Sequence, residues 1–270
     1  MKYVTNRQSA RVDWLTVTDR QSHHVFMTVT AFKASSDQLR DIRRNVPAAI
    51  ALLAAVVVFL VAETVAAAAW KNPAYSYTDD FVSDLGVPGP AVNFKGHIVH
   101  SPLAAVLNAG FVLNGVLVIV AAVLLLRTRG QGRLARWQLR LVIGYGLGLF
   151  IAASFPESPA WRFPLHAVGA SLIMTCGNVA TFLTGRLGAR LGLPTWLARA
   201  FMVLGAVGVI AFLLVQVDAT VVDSSALPPN IGTLERLAAY PLIATELVVG
   251  IALLVDSARL RRRNPAMALT

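Results

Sequence analysis

One cysteine, Cys176, stands among 270 residues, so no intrachain disulfide can form. Charge is scarce too. Asp, Glu, Lys and Arg make up 14% of the chain, against roughly 25% in an average soluble protein. Acid is scarcer than base, with 14 Asp and Glu to 24 Lys and Arg. The sequence has no glycine-rich phosphate loop and no repeat of fixed period. It has no series of alternating apolar and polar residues either, which argues against a membrane barrel. What it has is apolar residues: 56% are hydrophobic and the mean hydropathy is +0.62. A soluble domain of this size cannot hide so much apolar surface, so an ordinary soluble enzyme is excluded. The same numbers exclude disorder for most of the chain.

A membrane helix needs about 20 apolar residues to cross a core of roughly 30 Å. Six runs qualify: Val46 to Ala69, Pro102 to Leu126, Leu141 to Phe155 (with an uncertain start), Leu165 to Thr184, Arg199 to Val217, and Leu234 to Leu254. The expected fold is all-α, a polytopic six-helix membrane bundle. Lys and Arg mark cytoplasmic loops. The N-terminal tail, the 127–140 and 186–199 loops and the C-terminal tail hold 20 of the 24 basic residues. That places both termini inside, in a multi-pass protein of the cytoplasmic (inner) membrane. By segment, the inner side carries +15 and the remainder −5. The net charge of +10 therefore records threading, with contact to anionic lipid heads, rather than a nucleic-acid partner. Trp70, Trp137, Trp161 and Trp196 fall near span ends, as an interfacial belt requires.

The chain divides into a mobile cytoplasmic tail (1–45), a membrane domain (46–258) and a basic cytoplasmic tail (259–270). Ser36-Asp37 can cap a short helix to Arg44. Forty-five mostly polar residues before the first span are too many for a usual signal peptide, so that span is expected to stay. Met27 offers an alternative start, which would leave residues 1–26 outside the native protein.

Small residues let membrane helices approach. Gly144, Gly148 and Ala152 share one face of the third span. Ala167, Ser171, Thr175 and Asn178 share one face of the fourth. Asn108 and Asn114 lie about 120° apart and serve different neighbours. Two carboxylates fall within spans, Glu63 in the outer part of the first and Glu246 near the middle of the sixth. Charge at that depth is costly, and no Lys or Arg lies deep enough to pair with Glu246. Glu246 is then either protonated or hydrogen-bonded to Ser, Thr or Asn. It reads as a proton or ion site, or as a neutral acid inside the bundle.

Most other polar residues fall on the outer side: Asp79, Asp80, Asp84, His97, His100, Glu157, His166, Asp218, Asp223 and Glu235. Residues Tyr77 to Gly86 read as a short interfacial helix, capped by Thr78 or Asp79 and ended by Gly86. Phe81, Val82 and Leu85 would dip into the bilayer. His97 and His100 share a face if the second helix begins early. Imidazole and carboxylate together suit zinc or acid–base hydrolysis, but a lone HxxH does not specify a metal. Ser101-Pro102 reads as N-cap and N1 of the second helix. Thr233 can cap the sixth helix, with Glu235 in its first turn and Pro241 bending it. Glu235, Leu242 and Glu246 fall close to one stripe.

Several short pieces occur in order: Ser83-Asp84-Leu85-Gly86, Ser101-Pro102, Asn108-Ala109-Gly110-Phe111, Phe155-Pro156-Glu157, Leu165-His166, Gly169-Ala170, Gly177-Asn178, and Glu235-Arg236 with Tyr240-Pro241. Together these resemble the bacterial and archaeal membrane proteins grouped as domain of unknown function 998, over roughly Val46 to Ala258. The resemblance implies a six-helix membrane domain and no established activity. It touches Asp84, Ser101, Asn108, Glu157, His166, Asn178, Glu235, Arg236 and Tyr240. It leaves out His97, His100, Glu63, Glu246 and the long N-terminal tail.

Three functions stay open. One is an outer-facing site that binds or hydrolyses a lipid-like substrate. There Asp84, His166 and Glu235 would act as catalytic groups, and Arg236, Asn108, Tyr240 and Glu157 would hold substrate. The second is a small ion-coupled carrier using Glu246, against which stands the lack of an inverted repeat. The third is a non-catalytic module that binds a lipid or a protein.

Overall fold

The computed structural model describes residues 20–94, 97–129, 132–157, 163–221 and 229–263. The chain forms two units, Met1–Leu39 and Arg40–Thr270, and the second holds the bundle. The helices are α1 (Arg20–Ala69), α2 (Ala104–Arg129), α3 (Arg133–Ser154), α4 (Phe163–Arg186), α5 (Thr195–Val221) and α6 (Ile231–Arg263). Each contains a stretch long and apolar enough to cross a membrane, six in all among the described residues. Large apolar side chains such as Val57, Val61, Val116, Leu147, Phe150, Val203 and Ile210 are more than half exposed along these helices. In water that would be an aggregation surface; in a bilayer it is the lipid-facing belt.

The helices outrun the apolar runs that announced them. Residues 20–44 are helical, so Ser36-Asp37 does not open a short helix of its own. The reason is local: no glycine occurs before Gly86, and Pro47, the one proline before Pro73, removes a ladder bond without ending the helix. The rest of the expected tail, residues 1–19, lies outside the described residues, as do 264–270. α3 starts at Arg133, after Gly132 at φ 127°, a conformation that glycine takes without strain.

The Gly144, Gly148 and Ala152 stripe on α3 is a true contact face. A Cβ on Gly148 would stand 2.8 Å from the Gly169 carbonyl oxygen of α4, and one on Gly169 would stand 2.7 Å from the Ala152 nitrogen. The face of α4 that meets α3 is a different one from the Ala167, Ser171, Thr175 and Asn178 stripe. Gly169, Leu172, Ile173 and Cys176 meet α3, whereas Thr175 is exposed. Asn178 turns toward α5 and α6. It donates to the Ala238 carbonyl (2.7 Å) and lies where a side chain on Gly208 would fall. Ala238 sits three residues before Pro241, whose ring disturbs the helix ladder there. On the other flank, α1 packs on α2 through Ala62 against Gly110 and through stacked Phe59 and Phe111 rings (6.0 Å).

The α1–α2 connection, residues 70–103, folds over one end of the bundle. It is not the interfacial helix expected for Tyr77–Gly86. Only Ser83–Gly86 is helical, as a single 3-10 turn. Its acids capture the local backbone instead: Ser76 N–H donates to Asp80 (2.7 Å) and Phe81 N–H to Asp84 (2.9 Å). Such bonds compete with a helix ladder. Neither Thr78 nor Asp79 caps a helix; Asp79 accepts from Ser76, Thr78 and the Asn230 N–H. Val82 and Leu85 are buried in the protein core rather than dipped in lipid. Trp70 is buried there too, against Tyr75, so it does not join an exposed belt. Trp137 and Trp196, at the opposite end, are exposed, and Trp161 lies outside the described residues.

Beyond the turn, β1 (Val92–Phe94) and β2 (His97–Val99) pair antiparallel, with Val92 opposite Val99 and Phe94 opposite His97. The early start of the second helix, which would have aligned His97 with His100, is therefore not found. Pro102 forces the residue before it into extended backbone. Ser101 N–H accordingly donates to the Val87 carbonyl (3.1 Å), and α2 begins only at Ala104. Ser101 is thus not its N-cap; its hydroxyl is buried without a partner. Likewise α6 begins at Ile231, so Thr233 does not cap it and Glu235 lies beyond its first turn.

Candidate functional site

The polar residues singled out from sequence do not form one site. They sort into an acidic chamber, a clamp and a mid-bundle pair.

The chamber lies under the α1–α2 connection. Ser83 and Asp84 come from the 3-10 turn, Glu157 from the α3–α4 connection, His166 from α4 and Glu235 from α6. The Ser83 hydroxyl donates to Glu157 Oε1 (2.6 Å), with Glu235 Oε1 at 3.3 Å. Val82 N–H donates to Glu235 Oε2. His166 Nε2 stands 3.3 Å from Glu157 Oε1, and its Nδ1 stands 3.0 Å from the Phe155 carbonyl oxygen. Both ring nitrogens thus face oxygen atoms.

The chamber pushes two of its carboxyls in opposite directions. Asp84 is 1% exposed. Burial, with Glu157 and Glu235 nearby, pushes it well above the ordinary carboxylate range, and the Phe81 N–H offsets only part of this. Burial also raises Glu157, but the hydrogen bond and charge of His166, with the Ser83 hydroxyl, outweigh it and bring Glu157 below its ordinary value. Asp84 Oδ1 and Glu157 Oε2 are buried without partners. A cavity of about 40 Å³ adjoins the cluster. Ser83, His166 and Glu235 form its polar wall, and Phe59, Phe111 and Tyr145 are among the residues facing them.

The clamp is built on Arg236. Its Nε and Nη2 donate to Glu63 Oε1 (3.1 and 2.9 Å), and its Nη1 reaches the carbonyls of Tyr77, Asp80 and Gly232 (2.6, 3.2 and 3.1 Å). Nη2 also donates to the Tyr75 hydroxyl, and the guanidinium lies over the Tyr77 ring (4.9 Å). Tyr240 OH donates to Glu63 Oε2 (2.7 Å). Every guanidinium N–H has a protein acceptor. Arg236 is therefore no free anion holder, and Tyr240 belongs with it: together with Glu63 they tie α1, α6 and the connection together. Asn108 serves the same end, donating to the Gly86 carbonyl (2.9 Å) where the turn meets α2. Of the expected substrate holders, only Glu157 lies in the chamber.

The pair is Glu246 with Asn114, deep between α1, α2, α3 and α6. Sequence reasoning placed Asn108 and Asn114 with different neighbours, and they have them. It missed Ser83 as a member of the chamber and Tyr145 as the partner of Asn114. Ser83 had a signal, since it opens the Ser83-Asp84-Leu85-Gly86 piece. Among the described residues, no three His, Cys, Asp or Glu side chains are arranged to hold a metal ion. His100 Nδ1–H donates to the Gly89 carbonyl (2.6 Å).

Six helices among the described residues, each long and apolar enough to cross a membrane, define a polytopic helical membrane protein. The chain belongs to the family described as Protein of unknown function (DUF998), whose model matches residues 52–252. No curated protein and no solved structure matches it.

Proposed function

We propose that the chamber is an acid–base site that hydrolyses a lipid-like substrate at the outer face of the cytoplasmic membrane, with both termini inside. What carries this reading is a cluster in which burial beside other acids pushes Asp84 up while His166 and the Ser83 hydroxyl bring Glu157 down. Environments that drive two acids apart assign the proton donor and acceptor of a hydrolysis. Asp84, neutral, is the donor to a leaving oxygen or nitrogen. Glu157, ionised and braced by His166, is the acceptor. The 40 Å³ cavity beside Ser83, His166 and Glu235 exceeds the roughly 10–15 Å³ that one water needs. The nucleophile is then water, or the Ser83 hydroxyl, whose proton already points at Glu157. A bilayer lipid is the substrate class that fits, because apolar side chains complete the cavity wall and the bundle is sheathed in lipid. Sidedness rests on the excess of Lys and Arg in the loops at the opposite end.

The test is comparative lipidomics of a deletion strain complemented with wild type, Asp84→Asn or Glu157→Gln. Purified protein in nanodiscs made from the lipids of that strain is then assayed for released headgroup or acyl product. The expected result is a lipid that accumulates in the deletion and in both variants and is cleaved only by wild type. Identical profiles in all strains, with no product in nanodiscs, would overturn the proposal.

A further inference from the structure

Glu246 lies apart from the chamber and is 2% exposed. Its Oε2 accepts from Asn114 Nδ2 (3.2 Å), while Oε1 has no partner. Asn114, fully buried, also donates to the Ala55 carbonyl (3.1 Å) and accepts from Tyr145 OH (2.7 Å). These three side chains stand between two cavities. Tyr145 lines the 40 Å³ cavity at the chamber. Glu246 lines a second one of about 90 Å³, which runs past Gln138 and Thr184 to Leu187 and Leu191, toward the end where α4 meets α5.

The second cavity has a one-sided chemistry. Gln138 Nε2 donates to the Ala180 carbonyl and to Thr184 Oγ1, Thr184 donates to Ala180, and Thr245 donates to the Pro241 carbonyl. Every donor on its polar side chains is thus engaged within the protein. What is left are acceptors, Glu246 Oε1 and Gln138 Oε1, both buried and unpartnered. Among the described residues, no Lys, Arg or His lines the cavity. α1 faces Glu246 with Leu52 and Ala55, α2 with Asn114, α3 with Tyr145, Val142 and Gln138, and α4 with Thr184. Tyr145 is the one titratable group among them. An ionised carboxylate at this depth without a cation is strongly disfavoured. A wall of acceptors calls for something that brings a hydrogen.

We propose that Glu246 is a proton-binding site with access through the 90 Å³ cavity, closed against the chamber by the Tyr145–Asn114 pair. The step is balanced as hydronium plus carboxylate giving water plus carboxylic acid. The new O–H sits on Oε1, the oxygen that Asn114 leaves open. This does not depend on the chamber being catalytic.

Infrared difference spectroscopy of the protein in phosphatidylcholine bilayers tests it, with the pH stepped and the buffer exchanged to deuterium oxide. The expected signal is a carboxylic acid C=O band that titrates, exchanges with deuterium, and is lost in Glu246→Gln. The band of the neutral Asp84 is told apart by its loss in Asp84→Asn. Two variants keep Glu246 in place should Glu246→Gln fail to fold. Asn114→Leu removes the bond to Oε2 and shifts the band. Val142→Phe fills the cavity and slows its deuterium exchange. A band that survives Glu246→Gln, that neither variant moves or slows, or that sodium removes at fixed pH overturns the proposal.

Discussion

Arg236→Met is the sharpest test of how the chamber end is held together. The side chains of Arg236 and Glu63 are 11% and 2% exposed. An exposed ion pair is worth about 0–1 kcal/mol, whereas removing one partner of a buried pair costs about 3–5 kcal/mol, because the other charge is stranded. The geometry selects the second case. Methionine keeps the volume but removes both bonds to Glu63 Oε1 and those to three carbonyls and Tyr75, leaving Glu63 with Tyr240 alone. Arg236→Met is therefore expected to cost about 3–5 kcal/mol. Glu63→Gln should cost less, about 1–3 kcal/mol, because the guanidinium retains its carbonyls. The double variant removes both charges, so its cost should fall below the sum of the two singles by about 0.5–3 kcal/mol. The assay is reversible unfolding in mixed micelles, read by circular dichroism across the cycle. Singles that each cost under about 1 kcal/mol, or that add within about 0.5 kcal/mol, would refute the clamp.

Three further outcomes are expected. A buried acid raised above its ordinary value stabilises in its neutral form; that contribution is full below about pH 3.9 and is lost as pH rises through the raised value of Asp84. Melting temperature should therefore fall with pH more steeply in wild type than in Asp84→Asn, and parallel profiles would show that Asp84 is not held neutral. Glu157 runs the other way: its contribution is full above about pH 4.3 and is lost as pH drops through its lowered value. Glu157→Gln should accordingly be less stable than wild type at neutral pH, with the gap closing in acid. Finally, Gly208→Val meets Asn178, since even a Cβ would stand 1.8 Å from its Oδ1. Loss of the Asn178 bond to Ala238 is expected to lower stability by about 1–3 kcal/mol, measured by the same unfolding assay, while Gly192→Ala, in open space at φ 72°, tests backbone strain alone.

The spans were legible because hydropathy acts residue by residue and needs no knowledge of neighbours. The α3 packing face was legible for a related reason: Gly144, Gly148 and Ala152 follow from helical periodicity. Its α4 counterpart was not, because Ala167, Ser171, Thr175 and Asn178 share a face as well as Gly169, Leu172, Ile173 and Cys176 do. Only the neighbouring helix decides which face is used. In the chamber Asp84, Glu157, His166 and Glu235 could be grouped from sequence, but the addition of Ser83 and the exclusion of Arg236, Asn108 and Tyr240 could not. Arg236 follows Glu235 directly, yet the two side chains enter different networks. The helix expected over Tyr77–Gly86 failed because cap-forming acids can also bind turns, and nothing in the segment says which they will do.

The clamp also sets a timetable for biosynthesis. Glu63 and Arg236 are separated by 173 positions. At about 5–20 residues per second, the ribosome delivers Arg236 roughly 9–35 seconds after Glu63 has emerged. Throughout that interval α1 carries an acid whose cation does not yet exist. Until the last helix arrives, a charged Glu63 in the first is costly in lipid unless it takes up a proton. A chain cut short before α6 keeps that acid without its cation for good.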